Sequence, residues 1–221
     1  MPRVILPELL DGTPDAEAVG AVRDLTRINR YLGGYWTVGR LFSRVVRPDD
    51  AFTVLDVGAA SGDMGAAIRS GYPQARVTSL DRKRNHLAEA PPPRLQADAF
   101  ELPFAPASFD FVFSSLFLHH FADASVVRLL QGFGVVARRA VLAIDIDRGP
   151  FACRFIPATR WLFHWDPITL HDAPVSVRAA FRRQELQGLA RRAGLANATV
   201  RVHRPWSRLA LIAPVAGPKL F

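Results

Sequence analysis

Short apolar runs alternate with stretches of helical periodicity through the middle of the chain. The runs FTVLDV, ARVTSLD, RLQAD, SFDFVFSSL and AVLAIDI predict five strands. Apolar positions at helical spacing predict a helix from Ser61 to about Gly71, with Ser61 as its N-cap, and another helix in ADASVVRLLQGFGVVA. Because such apolar strands are buried on both faces, the alternation predicts an α/β fold with a mainly parallel sheet covered on both sides by helices.

The segments on either side of this core follow other patterns. Residues 15–46 predict two leading helices, separated at Gly33 and Gly34. Residues 148–180 are rich in aromatic residues and proline and predict an inserted cap. The alternation resumes in FRRQELQGLARRAGL, a predicted helix, and in the predicted strands ATVRVHR and SRLALIAP. Their tight connection at Pro205 predicts an antiparallel last strand.

One domain accounts for the whole pattern. A chain of 221 residues with 49% hydrophobic content is long enough for one sizeable core and short for two. The expected parts are an N-terminal helical segment (1–50), a core (51–147), the cap (148–180) and a C-terminal helix with a strand pair (181–221).

Composition argues against several functional classes. No stretch approaches the roughly 18 uncharged apolar residues of a membrane span, and no secretion signal is expected from the start, MPRVILPELLDG. Cys153 is the only cysteine, which excludes an intrachain disulfide and favours the cytoplasm. The net charge of +8 suggests nucleic acid, but only Lys83 and Lys219 are lysines and the arginines are dispersed. A nucleic-acid partner is therefore not expected.

The stretch VLDVGAASGDMG, at residues 54–65, places small residues on the first predicted strand-to-helix turn. Ligands of open parallel sheets lie beyond the carboxyl ends of the strands, so small side chains here indicate a ligand close to the backbone. The spacing differs from the G-x-G-x-x-G turn of dinucleotide enzymes, which makes an oxidoreductase the least favoured reading. Asp56, two residues before Gly58, adds a negative charge.

This turn resembles the first motif of class I S-adenosyl-L-methionine (AdoMet) methyltransferases. The resemblance implies a Rossmann-like, seven-stranded, mainly parallel sheet whose last strand is antiparallel. Ala60 stands where the family usually has glycine, and its methyl group is expected to be tolerated if φ is negative there. The cofactor-binding residues implied by this motif are Asp56, Gly58, Ala59, Ala60 and Gly62.

Acids at the ends of the next strands extend the resemblance. Asp81 ends the second strand about 20 residues on, where an acid can accept hydrogen bonds from both hydroxyls of a ribose. In the family, an acid at the place of Asp98 accepts from the adenine amino group, and the N–H of the next residue, Ala99, donates to the ring. FDFVFSSLFLHHF resembles the fourth-strand motif, which implies that residues 114–117, Ser114 first, line the cofactor. The predicted cofactor site also includes Arg82 and Phe100.

Weaker similarities indicate a substrate class. PELLDG, RINRYLGGY, SLFLHHF and HDAPVSVRAAF resemble small-molecule methyltransferases of the ubiquinone/menaquinone type and relatives associated with bacterial phenolic polyketide pathways. The resemblance implies secondary metabolism and methylation of a hydrophobic phenolic or quinone-like molecule, on oxygen rather than carbon. S-adenosyl-L-homocysteine would be the second product.

Deprotonating a phenol requires a base with a pKa near neutrality, which points to histidine. His171 is the preferred catalytic candidate because it lies past the aromatic part of the cap and next to Asp172; an exposed turn is the alternative. His120, after the fourth strand, is the second candidate, with packing as the alternative. No metal site is predicted, since the adjacent His119 and His120 are expected to point apart.

Other assignments stay open on the sequence alone. Arg30 and Tyr31 are expected to reach the carboxylate of the cofactor, with a solvated helix face as the alternative. The aromatic residues of the cap form either its core or an apolar substrate pocket: Phe151, Phe155, Trp161, Phe163 and Trp165. The competing functions are an RNA methyltransferase and a non-catalytic binding module, and a homodimer is compatible with the sequence.

Overall fold

The fold is built around a seven-stranded sheet with the order β3-β2-β1-β4-β5-β7-β6. A computed structural model describes residues 2–84 and 86–215, so the end of the predicted C-terminal segment lies outside the described residues. Six strands are parallel, and β7 runs antiparallel to its neighbours β5 and β6. The strands are β1 (Phe52–Val57), β2 (Ala75–Asp81), β3 (Arg94–Gln96), β4 (Phe109–Ser115), β5 (Ala137–Ile146), β6 (Thr199–His203) and β7 (Arg208–Pro214). The predicted sheet, with its antiparallel last strand, is confirmed.

Helices cover both faces of the sheet. In the described part of the chain, no helix combines the length and apolarity needed to cross a membrane. Short 3₁₀ turns occur at His86–Ala88 and Leu118–His120. The α-helices are α1 (Leu9–Gly12), α2 (Asp15–Tyr31), α3 (Gly34–Phe42), α4 (Asp63–Gly71), α5 (Asp123–Val136), α6 (Pro150–Ala158), α7 (Arg160–Phe163), α8 (Pro167–Ala179) and α9 (Arg183–Arg192).

The apolar core consists of two layers, one on each face of the sheet. Successive side chains of a strand point to opposite faces. In β1, Leu55 and Val57 therefore join the layer beneath α5 and α9, while Phe52 and Val54 join the layer beneath α3 and α4. This double burial explains why the strands are continuous apolar runs, and it leaves polar residues concentrated at the strand ends.

The helix after β1 and strand β3 have boundaries that differ from the predicted ones and that bear on the site. Helix α4 begins at Asp63 with Gly62 as its N-cap, and Ser61 makes no capping bond. Gly62 has φ 73°, a left-handed conformation that glycine adopts without steric cost, so the turn closes one residue later than predicted. Strand β3 ends at Gln96, before the predicted Asp98.

The cap is helical. It comprises α6, α7 and α8, inserted between β5 and α9. Helix α8 packs on α6, α1, α2 and the turn at Leu118–His120. The cap and the leading helices therefore cover the carboxyl ends of the strands together.

Candidate active site

One large cavity lies over the carboxyl ends of the central strands. Its volume is about 1180 Å³, more than the roughly 300–1,000 Å³ of most small-molecule sites, so it has room for two ligands. The turns after β1, β2 and β4 form its floor, and α2 and the cap form its walls.

The turn after β1 brings backbone directly to the cavity surface. Gly58, Ala59 and Ala60 line the cavity. Gly58 has φ 71°, and a Cβ there would lie 2.4 Å from Cδ2 of Phe117, so a larger residue would clash with this ring, which also lines the cavity. Gly62 does not line the cavity; it shapes the turn through a hydrogen bond from its N–H to the carbonyl of Ala59.

Ala60 has φ 46°, so the condition of a negative φ, under which its methyl group is expected to be tolerated, is not met. A left-handed conformation costs a residue with a Cβ roughly 1–2 kcal/mol, which a glycine would not incur. Glycine, however, has the larger conformational entropy in the unfolded state, and this offsets part of the gain. We expect Ala60→Gly to raise the free energy of unfolding by about 0.5–1 kcal/mol, measured by urea denaturation. Ala59→Gly, at a position without positive φ, is the matched control and should destabilise the fold. Equal effects of the two substitutions would contradict this account.

Asp81, at the end of β2, is fixed in position and ionised. Its Oδ2 accepts from the N–H of Ala60 at 3.1 Å, and its Oδ1 accepts from the N–H of Lys83 at 2.9 Å. Burial alone would raise the pKa of Asp81, but His86 and these N–H groups lower it below its usual range. Each carboxylate oxygen keeps a second acceptor site, so the group can still accept from two hydroxyls. The sequence prediction missed His86, whose Nδ1 lies 3.6 Å from Asp81.

The remaining predicted cofactor residues are divided between the cavity and the core. Asp98 lines the cavity and accepts from the N–H of Phe100 at 2.8 Å. Ser114 is buried outside the cavity lining, and the residues that follow it, 115–117, line the cavity instead. The other predicted residues that line the cavity are Arg82, Ala99, Phe100, Arg30, Tyr31 and Asp56.

Asp56 is a buried acid with an unsatisfied oxygen. It is 1% exposed, and its Oδ2 has no hydrogen-bond partner. Burial, reinforced by the nearby Asp63 and Asp81, raises the pKa of Asp56 to about 8. The expected negative charge is therefore wrong for the free protein near pH 7, where most of the carboxyl is protonated. The glycine turn, the oriented Asp81 and the unsatisfied Asp56 carboxyl, which can ionise beside an ammonium group, all fit AdoMet, with its nucleoside and its charged amino-acid tail.

A second polar cluster lies in the cavity beneath the cap. His119 is buried, with Nδ1 2.7 Å from Oδ1 of Asp145 and Nε2 3.7 Å from Oε1 of Glu8. Burial lowers the pKa of His119, but the two carboxylates outweigh this effect and raise it to about 9. At neutral pH the cluster thus holds an imidazolium between two acids.

His120 lies on the cavity side of this cluster. Its ring stacks on that of His119, with centroids 4.4 Å apart and planes 26° apart, so the expectation that the two side chains point apart is wrong. Ligating atoms of Glu8, His119 and His120 lie within 4.8 Å of one another. In this structure Oε1 of Glu8 accepts from Oγ of Ser176 and Nδ1 of His119 contacts Asp145, so these contacts account for the cluster without an ion. The absence of a metal site stays a prediction.

The structure places His171 outside the cavity. Its side chain is 51% exposed and contacts Asp172, which in turn accepts hydrogen bonds from the N–H groups of Leu9 and Leu10. Because α8 continues through this position, His171 faces away while Asp172 faces inward. The predicted catalytic role of His171 therefore has no support in this geometry.

Some aromatic residues of the cap line the cavity, and others form the core of the cap. Phe151 and Phe155 line the cavity. Trp165 is buried, donates from Nε1 to Thr159 and packs with Phe163, so this pair belongs to the cap core. Trp161 is 78% exposed and does neither.

Sequence reasoning missed three acids. Asp145 interrupts the apolar strand AVLAIDI, a signal that could have been used. Asp63 lines the cavity beyond the glycine turn and accepts from Asn29 and Tyr35. Glu8 belongs to the PELLDG stretch, whose spacing alone carries no indication of its partners.

Known proteins match the chain at this site. Residues 55–146 match the family model described as a methyltransferase domain. A malonyl-[acyl-carrier protein] O-methyltransferase of Xylella fastidiosa is 37% identical over 105 residues, covering 44% of this chain and 35% of the relative. The ubiquinone/menaquinone biosynthesis C-methyltransferase UbiE of Desulfotalea psychrophila is 38% identical over 82 residues, covering 34% of this chain and 33% of the relative. The chain thus spans about a third of the length of these curated relatives.

Solved structures agree with the fold. A SAM-dependent methyltransferase from Aquifex aeolicus superposes with a TM-score of 0.60 at 16% identity, covering 89% of this chain and 97% of that one. The resemblance to class I AdoMet-dependent methyltransferases and the Rossmann-like fold are confirmed, with AdoMet as the implied cofactor.

Proposed function

We propose that this chain, which carries a class I methyltransferase domain, methylates a hydrophobic phenolic or quinone-like small molecule with AdoMet, on oxygen. The observation that carries the proposal is a single cavity. At one end it contains the glycine turn and Asp81, and at the other His120 beside an apolar wall.

The cofactor end is assigned to the first two strand turns and the end of β3. Asp81 would hold the ribose hydroxyls, and Asp98 with the N–H of Ala99 would hold the adenine. Asp56 and Arg30 would face the amino-acid tail. When bound, AdoMet supplies a methyl group on a sulfonium, and its transfer breaks the carbon–sulfur bond and leaves the electron pair on sulfur in S-adenosyl-L-homocysteine.

The acceptor end is assigned to His120 and the cap. His120 would accept the proton of the substrate hydroxyl, since an imidazole with a pKa near neutrality suits that step. Phe151, Phe155 and Ile156 supply apolar wall and exclude water from the transfer. Such a wall suits an aromatic substrate better than a polyanion such as RNA.

The relatives support a small-molecule substrate without fixing it. The two curated matches are named for O- and C-methylation of small-molecule or carrier-linked acceptors. We place the reaction in secondary metabolism and in the cytoplasm, as the sequence suggested.

Methyl transfer to small acceptors tests the proposal directly. We expect protein incubated with [methyl-¹⁴C]AdoMet to label a hydrophobic phenol or quinol from a panel, and to leave RNA unlabelled. His120→Asn should lower turnover by about 100-fold, the usual contribution of a general base. The matched control is His164→Asn, at an exposed position with φ 50° that asparagine tolerates. Labelled RNA, or absence of any labelled product, would refute the proposal.

A further inference from the structure

The segment Arg3–Leu10, here called the strap, contacts the turn after β4 at its start and helix α8 of the cap at its end. The Arg3 guanidinium donates to the carbonyls of Ala179 and Phe121, both at 2.7 Å, and to Oδ1 of Asp123 at 2.5 Å. It also lies 4.3 Å over the ring of Phe181. A side chain with so many partners from distant parts of the chain fixes the start of the strap.

The far end of the strap is held by α8. Asp172 accepts hydrogen bonds from the N–H groups of Leu9 and Leu10, both at 2.9 Å. Near the start, the N–H of Val4 donates to the carbonyl of Arg178 at 3.0 Å. Glu8 lies between these anchors, so its position is set from both sides.

The Glu8 side chain enters the acceptor end of the cavity. Its Oε1 accepts from Oγ of Ser176 at 2.5 Å and lies 3.9 Å from Nδ1 of His120. Burial tends to raise the pKa of Glu8, but hydrogen bonding to His119 and the charges of both histidines lower it below its usual value. An ionised carboxylate therefore faces His120 within the polar cluster beneath the cap.

We propose that Glu8 is a positioning residue for His120, and that the strap thereby completes an acceptor site for a neutral, ionisable hydroxyl. The inference rests on the proposed function. With Nδ1 of His120 directed to Glu8, Nε2 takes the proton of the acceptor hydroxyl, and Glu8 stabilises the imidazolium that forms. The 3.9 Å separation needs to shorten only slightly for a hydrogen bond, as catalytic contacts commonly do on substrate binding. A carboxylate acceptor would be repelled by Glu8, so acidic substrates are disfavoured.

The polar and charged groups around Glu8 come from several elements. His119 and His120 face it from the turn after β4, while Ser176 and Asp172 lie on α8. Asp145 on β5 stands behind His119, and the buried Arg208 on β7 acts on Asp145. Glu8→Gln removes one charge from this set and keeps an acceptor for Ser176.

The test compares Glu8→Gln with Glu17→Gln, an exposed glutamate on α2. Removing a carboxylate from beside a histidine lowers the histidine pKa by about one unit. We expect the acid limb of kcat against pH to move down by about one unit in Glu8→Gln, with kcat about 10- to 100-fold lower. Binding of S-adenosyl-L-homocysteine, measured calorimetrically, should stay within twofold in both variants.

A second readout does not depend on turnover. Histidine Cε1–H resonances of the free protein, titrated by NMR and assigned with His119→Asn and His120→Asn, should show a lower His120 pKa in Glu8→Gln only. If the protein methylates an acceptor but Glu8→Gln shows the wild-type acid limb and the wild-type His120 titration, the role of Glu8 is wrong and the proposed function stands. No methylation of any acceptor, with the resonance shift present, would refute the function alone. Activity lost on chelation and restored by Zn²⁺ would overturn the positioning role in favour of a metal site.

Discussion

Asp81→Ala is expected to weaken AdoMet binding by about 10²- to 10⁴-fold. A hydrogen bond to a charged group contributes about 1.5–3 kcal/mol, and the carboxylate can accept one from each ribose hydroxyl. Isothermal titration of AdoMet and of S-adenosyl-L-homocysteine measures the loss. The effect should be largest at neutral pH and above, because the low pKa of Asp81 keeps it ionised there.

Two companion variants show whether the loss is local. Asp81→Asn keeps an acceptor for the N–H of Ala60 or Lys83 and should lose less affinity than Asp81→Ala. Asp49→Ala, an exposed acid in the turn before β1, should bind normally. If Asp81→Ala binds AdoMet within twofold of the wild-type affinity and circular dichroism shows an intact fold, the assignment of Asp81 to the ribose hydroxyls is wrong.

The proposed cofactor end of the cavity could be predicted because its signals are local in sequence. Each apolar run encodes one buried strand, and the carboxyl ends of parallel strands meet at one edge of a sheet. Asp81 and Asp98 could therefore be brought to one ligand without knowing any long-range contact. Two details of this turn could not be predicted from the sequence pattern. The positive φ of Ala60 and the raised pKa of Asp56 both depend on how the turn packs in the fold.

The acceptor end is not predictable in the same way. Glu8, His119 and Asp145 come from the strap, a 3₁₀ turn and β5, and no short-range pattern links them. His171 shows the same limit in another form. In a helix, successive residues turn by about 100°, so neighbouring side chains face different sides. The sequence pattern predicted correctly that this segment covers the cavity. Within α8, however, the side chain of Asp172 faces the cavity and that of His171 faces away from it.

The buried pair of His119 and Asp145 gives the largest expected effect on stability. Asp145 is 0% exposed, and removing its partner leaves an uncompensated buried charge. We expect His119→Leu to lower the free energy of unfolding by about 3–5 kcal/mol near pH 6, measured by urea denaturation. In the double variant with Asp145→Asn, the side chain carries no charge, and its single oxygen keeps one of the two N–H bonds that Asp145 accepts, at Oδ2 from residue 119 and at Oδ1 from residue 146. That variant should recover most of the loss, because the cost lies in the orphaned charge.

The pH dependence of the wild type minus His119→Leu difference has a definite sign. The pKa of His119 is raised to about 9, so its contribution is fully present below the ordinary value of 6.5 and is lost as pH rises through 9. The pKa of Asp145 is lowered, so its contribution is present above the ordinary value of 3.8 and is lost as pH falls further. The stability difference should therefore be greatest between about pH 4 and 6.5 and shrink towards pH 9.5. A difference that stays constant from pH 6 to 9.5 would mean that His119 is buried neutral, and the imidazolium on which His120 stacks would not exist.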